Sequence, residues 1–207
     1  SNSHIRITDF NLTPLQIFSP EISQLTGYLS ADLTITTSDK APIIVGQVAV
    51  NQGELLLIKS PNQLKDISLT ANFTGKQAQL QGQIKLEQQS AFIQGEMSWQ
   101  PAFKLALQLN GQDLPLHFPP QLKATVSPEL ALSYSNKQLA ISGNLAVTKG
   151  EINIEKLPAG SVKLSDDVIM VDYQGKPIIK EQKITLTSDI NISIAKALTI
   201  TGQGISS

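Results

Sequence analysis

Apolar and polar residues alternate along most of the chain with a period of two. Between Ala78 and Leu86 every second residue is aliphatic or glycine, and the residues between them are Gln or Lys. Because neighbouring side chains of a strand point to opposite faces, such a run predicts a strand with one apolar face. Further runs of this kind begin at Leu29, Ile67, Ile93, Phe103, Leu139 and Ile190.

Turn-forming clusters separate these runs, which predicts an all-β chain of a dozen or more short strands. Asn51-Gln52-Gly53 and Ser135-Asn136-Lys137 are two such clusters. No stripe with the helical period of 3.6 residues is present, and the only helical turn we expect lies near Glu21–Leu25, after Pro20.

The chain also contains an internal repeat. Residues 30–61 align without a gap on residues 127–158, and both segments follow the pattern G-x-φ-x-φ-x-x-G-E-φ-x-φ, in which φ is aliphatic. Aliphatic β segments with glycine turns also align by chance, but the matched Gly-Glu pairs favour a duplication. We therefore expect residues 1–207 to form a single repetitive β domain of two similar stacked slices.

The composition weakens the case for several kinds of partner. The formal net charge is −1 over 207 residues and only 16% of residues are charged, so nothing attracts the chain to nucleic acid. The polar residues are mostly uncharged: Gln, Asn, Ser and Thr number 20, 10, 20 and 14, which together make 64 residues. There is no cysteine, which excludes disulfides and thiolate sites.

The candidate chemical residues favour structural roles. His117 lies in a proline-rich extended segment, and with only one other histidine, His4, a metal site there is not expected. The adjacent pair Asp166 and Asp167 would point to opposite faces of a strand, which fits a solvated turn better than a cation site. We expect no enzyme activity, no catalytic residue, no metal and no cofactor.

Several short motifs resemble the C-terminal domain of the TamB family. The longest is the stretch Leu157–Asp172, which begins with Leu-Pro and contains Ser-Asp-Asp-Val-Ile-Met. Phe118-Pro119-Pro120 followed by Ser127-Pro128-Glu129-Leu130 is similar too, as are residues 25–33 and Pro42 followed by Gly46-Gln47-Val48. The resemblance extends from about Asp9 to the end of the chain.

This resemblance implies a fold and a cellular setting. TamB-like proteins are anchored in the inner membrane of Gram-negative bacteria and cross the periplasm towards TamA, an outer-membrane partner of the Omp85 type. The family is linked to phospholipid movement between the membranes and to outer-membrane protein assembly. Its C-terminal domain is a β-taco, a sheet curled into an open trough with an apolar interior.

The residues alone leave a choice between an open and a closed sheet. The apolar face must be covered, and closed sandwiches and barrels are the common solution. The scarcity of large aromatics, which make up 5% of the chain, and the repeat favour open stacking. With the resemblance, we expect a curled open sheet, a U-shaped trough with an apolar concave face.

Two functions fit such a trough. In the first, the apolar face carries phospholipid acyl chains across the periplasm; in the alternative, it or a free strand edge holds unfolded outer-membrane or autotransporter strands for insertion by TamA. Pro101, Pro115, Pro119, Pro120 and Pro128 are expected to block edges, which favours the first. The predicted lipid lining comprises Leu33, Ile35, Val48, Val50, Leu130, Leu132, Leu145, Val147, Ile152, Ile154, Ile190, Ile192 and Ile194.

The chain is expected to be a fragment of a longer protein. It has no run of about 18 apolar residues and no signal peptide, so any anchor is expected outside it. Residues 1–3 resemble a vector-derived remnant, and the partner-binding segment is expected beyond residue 207. The periplasm is the expected location.

Overall fold

The computed structural model describes residues 2–37, 41–119, 122–153, 184–194, 198–202 and 205–206, and these residues form one all-β sheet. Alternating apolar and polar residues account for its strands, because each strand has one face to cover and one to expose to water. The thirteen strands are β1 (Asn2–Asn11), β2 (Ile22–Thr36), β3 (Ile43–Leu57), β4 (Leu64–Gly75), β5 (Gln77–Leu86), β6 (Gln89–Ser98), β7 (Lys104–Gly111), β8 (Leu114–Phe118), β9 (Leu122–Ser135), β10 (Gln138–Asn153), β11 (Thr185–Ile194), β12 (Leu198–Gly202) and β13 (Ile205–Ser206).

Successive strands are mostly neighbours. Strands β1 to β7 follow one another as antiparallel hairpins, β9 pairs with β7, and β10 pairs with β9. The short strand β8 continues the line of β7 alongside β9, while β11 and β12 run parallel to β10. No strand of the described part closes the sheet back on β1. The expected all-β open sheet is therefore confirmed.

The one helical segment of the described residues lies elsewhere than expected. A 3-10 helix spans Thr13–Phe18, whereas residues 22–25 already belong to β2. The side chain of Gln16 fixes this helix, because its Nε2 donates to the carbonyl of Ser23 and its Oε1 accepts from the backbone N–H of Leu25. Among the described residues, no helix has the length and hydropathy needed to cross a membrane.

The two halves of the predicted repeat form hairpins with the same register. Leu33 pairs with Gly46 in the β2–β3 hairpin, and 97 residues later Leu130 pairs with Gly143 in the β9–β10 hairpin. Near the other end of the two hairpins, the pair formed by Leu25 and Leu55 corresponds to the pair formed by Leu122 and Ile152. Residues 154–158 of the second segment lie outside the described residues, so the full superposition stays a prediction.

The packed core of the described residues is small. Apart from Pro128 and two glycines, only six apolar residues are buried, and none of the larger side chains is completely shielded from solvent. Leu86, Ala91, Leu114 and Val126 form one cluster near the ends of β5, β6 and β8. A closed sandwich or barrel would fill its interior with large side chains, so this burial pattern belongs to an open sheet.

One of the prolines expected at an edge, Pro128, lies inside the sheet. Pro128 is buried in β9, between β10 and the β7–β8 line, and is not at an edge. Its missing N–H is tolerated because strand pairing is interrupted opposite it, between the end of β7 and the start of β8. There the backbone N–H of Asp113 donates to the Ser127 hydroxyl instead. Pro115 does lie on an edge, the side of β8 with which no other described strand pairs.

Candidate functional site

The strand registers bring apolar residues together in three continuous rows on one face of the sheet. Directly paired residues of neighbouring strands share a face, so pairs can be followed from β1 to β11. The first row is Ile5, Leu33, Gly46, Phe73, Ala78, Met97, Leu105, Tyr134, Leu139 and Leu186. The second row is Ile7, Ala31, Val48, Ala71, Leu80, Gly95, Leu107, Leu132, Ile141 and Ser188. The third row is Phe10, Leu29, Val50, Leu69, Gly82, Ile93, Leu109, Leu130, Gly143 and Ile190.

These rows contain no charged side chain. Tyr134 and Ser188 carry their only polar side-chain atoms, and every other member is apolar or glycine. Residues in the middle of the rows, such as Leu80 and Leu107, are half-buried, whereas Leu186 at the β11 end is 62% exposed. Two row members, Ala31 and Ala78, are buried, and most of the others are half-buried or exposed, so much of the apolar face is open to solvent.

The structure places most of the predicted lining residues on this face. Six are members of the rows, Ile35 extends the face beyond the first row, and Leu145, Val147, Ile192 and Ile194 extend it beyond the third. Ile152 pairs with Leu122 in the strand register, but its side chain is outside the described part, as is the whole of Ile154. The role of this set as a lipid lining stays a prediction.

Sequence reasoning missed the central part of the surface. Strands β4 to β7 supply the middle of every row, for example Phe73, Leu80, Ile93 and Leu107. The signal was present, because these strands have the same period-two pattern as the two repeat segments. The predicted lining was drawn from the two repeat segments and from residues 190–194, whereas the pairing of β4 to β7 is what makes the rows continuous.

At one rim of the sheet, contacts of Trp99 indicate that the apolar face is concave. We call the turns after β2, β4, β6 and β9 the upper rim. The Trp99 indole N–H donates to the carbonyl of Pro42 at 2.9 Å, and its ring centroid lies 6.0 Å from that of Phe73, a first-row residue. Trp99 follows β6 and Pro42 precedes β3, three strand positions away, or about 14 Å in a flat sheet. A curl towards the apolar face brings the two residues within reach.

At the opposite, lower rim, the loop between β3 and β4 reaches across to β8. Asn62 donates from Nδ2 to the carbonyl of His117 at 2.8 Å and accepts the His117 backbone N–H through Oδ1, also at 2.8 Å. The Asn62 amide thereby replaces a neighbouring strand on the open edge of β8. Leu64, at the end of the same loop, packs against the buried cluster around Leu114. His117 is thus held by its backbone in a structural setting.

Charges lie on the other face of the sheet. Arg6 and Asp32 form an ion pair at 2.9 Å, and Lys85 and Asp66 form another at 3.1 Å. Cross-strand amides on this face bond to each other, as Gln47 does with Asn72. In the part of the chain with described side chains, no three His, Cys, Asp or Glu residues come together to hold a metal ion. Asp166 and Asp167 lie outside the described residues.

Comparisons with known proteins identify the family. The family model described as the TamB C-terminal domain matches residues 80–207. A curated relative, "Translocation and assembly module subunit TamB" from Haemophilus influenzae, is 22% identical over 191 residues, which is 86% of this chain. The chain spans only 15% of the length of that relative. No solved structure matches the present chain. Because the family model covers more than half of the sequence, the chain belongs to the TamB C-terminal domain family.

Proposed function

We propose that this chain is a segment of a longer TamB-like protein in which the three rows carry phospholipid acyl chains. The longer protein would be anchored in the inner membrane of a Gram-negative bacterium, cross the periplasm and support outer-membrane biogenesis. The observation that carries this proposal is the absence of charge from three apolar rows that each cross ten strands. A large exposed apolar surface of this kind requires a partner that shields it from water.

The chemistry of the surface suits a sliding ligand. Each buried methylene contributes roughly 0.8 kcal/mol, so about ten methylenes would gain about 8 kcal/mol without any specific pocket for the head group. Aliphatic side chains contact an acyl chain equally well at every position along a row. The bound lipid therefore meets no deep energy minimum that would stop its movement across the strands.

The family supports a setting for this activity. The printed name of the Haemophilus relative describes a subunit of a translocation and assembly module. We propose that the present protein acts in a module of the same kind, with a TamA-like outer-membrane protein of the Omp85 type as the partner of its full-length form.

Site-specific photocrosslinking in cells tests the acyl-chain proposal. A photoreactive amino acid at Leu107 would lie in the middle of the second row, and the matched control, at Gln108, would lie on the same strand and the opposite face. We expect phospholipid adducts from Leu107 and not from Gln108. Protein adducts at Leu107 without lipid would contradict the proposal.

The second candidate function is a scaffold for unfolded outer-membrane strands. Its supporting observation is the edge of the sheet, because β1 pairs only with β2 in the described structure and its residues are exposed along its length. An exposed edge offers backbone groups for an added strand. Photocrosslinks to outer-membrane proteins from positions in β1, with no lipid in the rows, would favour this function.

A further inference from the structure

A continuous groove runs over the face opposite the apolar rows. Three adjoining depressions, of about 310, 430 and 410 Å³, lie over strands β4 to β7 and β9. The first two share Gln79, Glu96 and Ala106 among their lining residues, and the second and third share Gln81 and Gln94. The depressions therefore form one groove. Row residues such as Leu80 and Leu107 also line it, and since neighbouring side chains of a strand point to opposite faces, they contribute their backbone on this side.

The groove exists because short and long side chains are placed side by side. Ala106 and Ala131 are exposed and come from adjacent strands, so their part of the face is low. The longer side chains of Gln79, Gln94 and Gln108 stand around them. This local arrangement gives a polar face a shape that a ligand can fill.

The side chains on the groove's face are mostly amides, hydroxyls and alanines, and few of them are charged. Glu96 and Lys104 are the only charged residues among its described lining. Gln94 donates from Nε2 to Oε1 of Gln108 at 2.8 Å, which leaves the Gln94 oxygen and the Gln108 nitrogen free for a ligand. An amide offers both donors and acceptors, and such groups match the mixed donor and acceptor pattern of sugar hydroxyls and N-acetyl groups.

One end of the groove presents an aromatic ring. Phe92 is 53% exposed and lies on the polar face, where its register partners are Gln83 and Asn110. A phenyl ring in such a position costs free energy when it is left in water, and its flat apolar surface can stack on the C–H face of a sugar ring. Phe92 and the flanking amides together match the two sides of a pyranose.

We propose that this groove binds a neutral glycan chain, with Phe92 stacked on one sugar and the glutamine side chains bonded to the next ones. The three depressions follow one another along β6, at the levels of Ile93, Gly95 and Met97, so the groove is about 13 Å long, which accommodates a few linked sugars. The near absence of cations disfavours polyanions. An extended peptide would instead be held by backbone pairing at a strand edge, which the face of a sheet does not offer.

Titration of the 207-residue chain with chitotetraose, a neutral tetramer of N-acetylglucosamine, tests this proposal by NMR. We expect saturable binding in the millimolar range, with shifts confined to the groove residues. Phe92→Ala and Gln94→Ala should each weaken binding roughly tenfold, because they remove the stacking ring and a hydrogen-bonding amide. Both residues are exposed, so the folded spectrum should be preserved.

Ser142→Ala is the matched control, because Ser142 is exposed on the same face but is outside the described groove lining. Its affinity should equal that of the unmodified chain. The proposal is overturned by a chain that shows no saturable shifts, by shifts that map outside the groove, or by Phe92→Ala and Gln94→Ala binding the tetramer as well as Ser142→Ala does. Since the apolar rows are untouched in all these variants, failure here leaves the acyl-chain proposal standing.

Discussion

At the residue scale, the side chain of Asn62 provides contacts that neighbouring strands usually provide. Its amide makes both hydrogen bonds that an adjacent strand would make to His117. Pro115, two residues earlier in β8, has no N–H and therefore needs no acceptor on this edge. The open edge of β8 is thereby closed to other strands, which a sheet with long exposed edges needs to avoid aggregation.

Asn62→Ala should destabilise the chain by about 1–3 kcal/mol, because both His117 backbone groups lose their partner in a half-buried position. The measurement is the midpoint of urea unfolding at unchanged slope. Gln88→Ala, in the exposed turn between β5 and β6, is the control and should stay within about 0.5 kcal/mol of the unmodified chain. Equal midpoints for the two variants would show that the Asn62 bridge does not stabilise the sheet.

At the element scale, the strands could be predicted from the sequence, whereas their less regular pairings could not. Period two located the strands and identified their apolar sides. The parallel pairing of β11 with β10 depends on a chain crossing that no local pattern encodes. The helical turn was misplaced because its fixing contact, from Gln16 to Ser23 and Leu25, comes from a side chain outside the apolar pattern. The groove was missed because its shape depends on which alanines become neighbours.

Glycines recur at equivalent places in the β2–β3 and β9–β10 hairpins. Gly46 has φ +133° and Gly143 has φ +129°, values that other residues rarely adopt. A Cβ at Gly46 would overlap the carbonyl oxygen of Asp32, and one at Gly143 would overlap that of Glu129, 97 residues further on. Both positions lie inside strands, where such glycines allow the backbones to approach closely and the sheet to bend.

Gly46→Ala and Gly143→Ala should therefore destabilise the chain by similar amounts, about 1–3 kcal/mol each, because the strain at the two sites is the same. Gly82→Ala is the comparison: its nearest atom would belong to the flexible Leu69 side chain, and no positive φ is recorded there. Its loss should be smaller. Urea unfolding of the three variants measures these losses of stability. A large loss of stability at only one of Gly46 and Gly143 would argue against equivalent hairpins.

At the scale of the whole molecule, the sheet has two faces of different chemistry and few buried side chains. The apolar rows are continuous because ten strands keep one register in their middle sections, and the ion pairs Arg6–Asp32 and Lys85–Asp66 lie on the opposite face. Among the described row residues, only Leu109 packs against the small cluster around Leu86 and Leu114, so most of the row surface lies outside that core. An open sheet can continue this surface into neighbouring parts of a longer chain.

Native mass spectrometry of the purified chain tests the central claim, that the apolar rows hold acyl chains. Leu107→Asp is the informative variant, because Leu107 lies in the middle row and is not part of the packed cluster, whereas Leu145 packs against that cluster. A carboxylate there would be poorly solvated beside a bound acyl chain. Gln108→Asp adds the same charge on the opposite face. We expect co-purified phospholipid on the unmodified chain and on Gln108→Asp, and its loss from a folded Leu107→Asp. Phospholipid absent from all three proteins, or retained equally by all three, would show that the rows do not hold acyl chains.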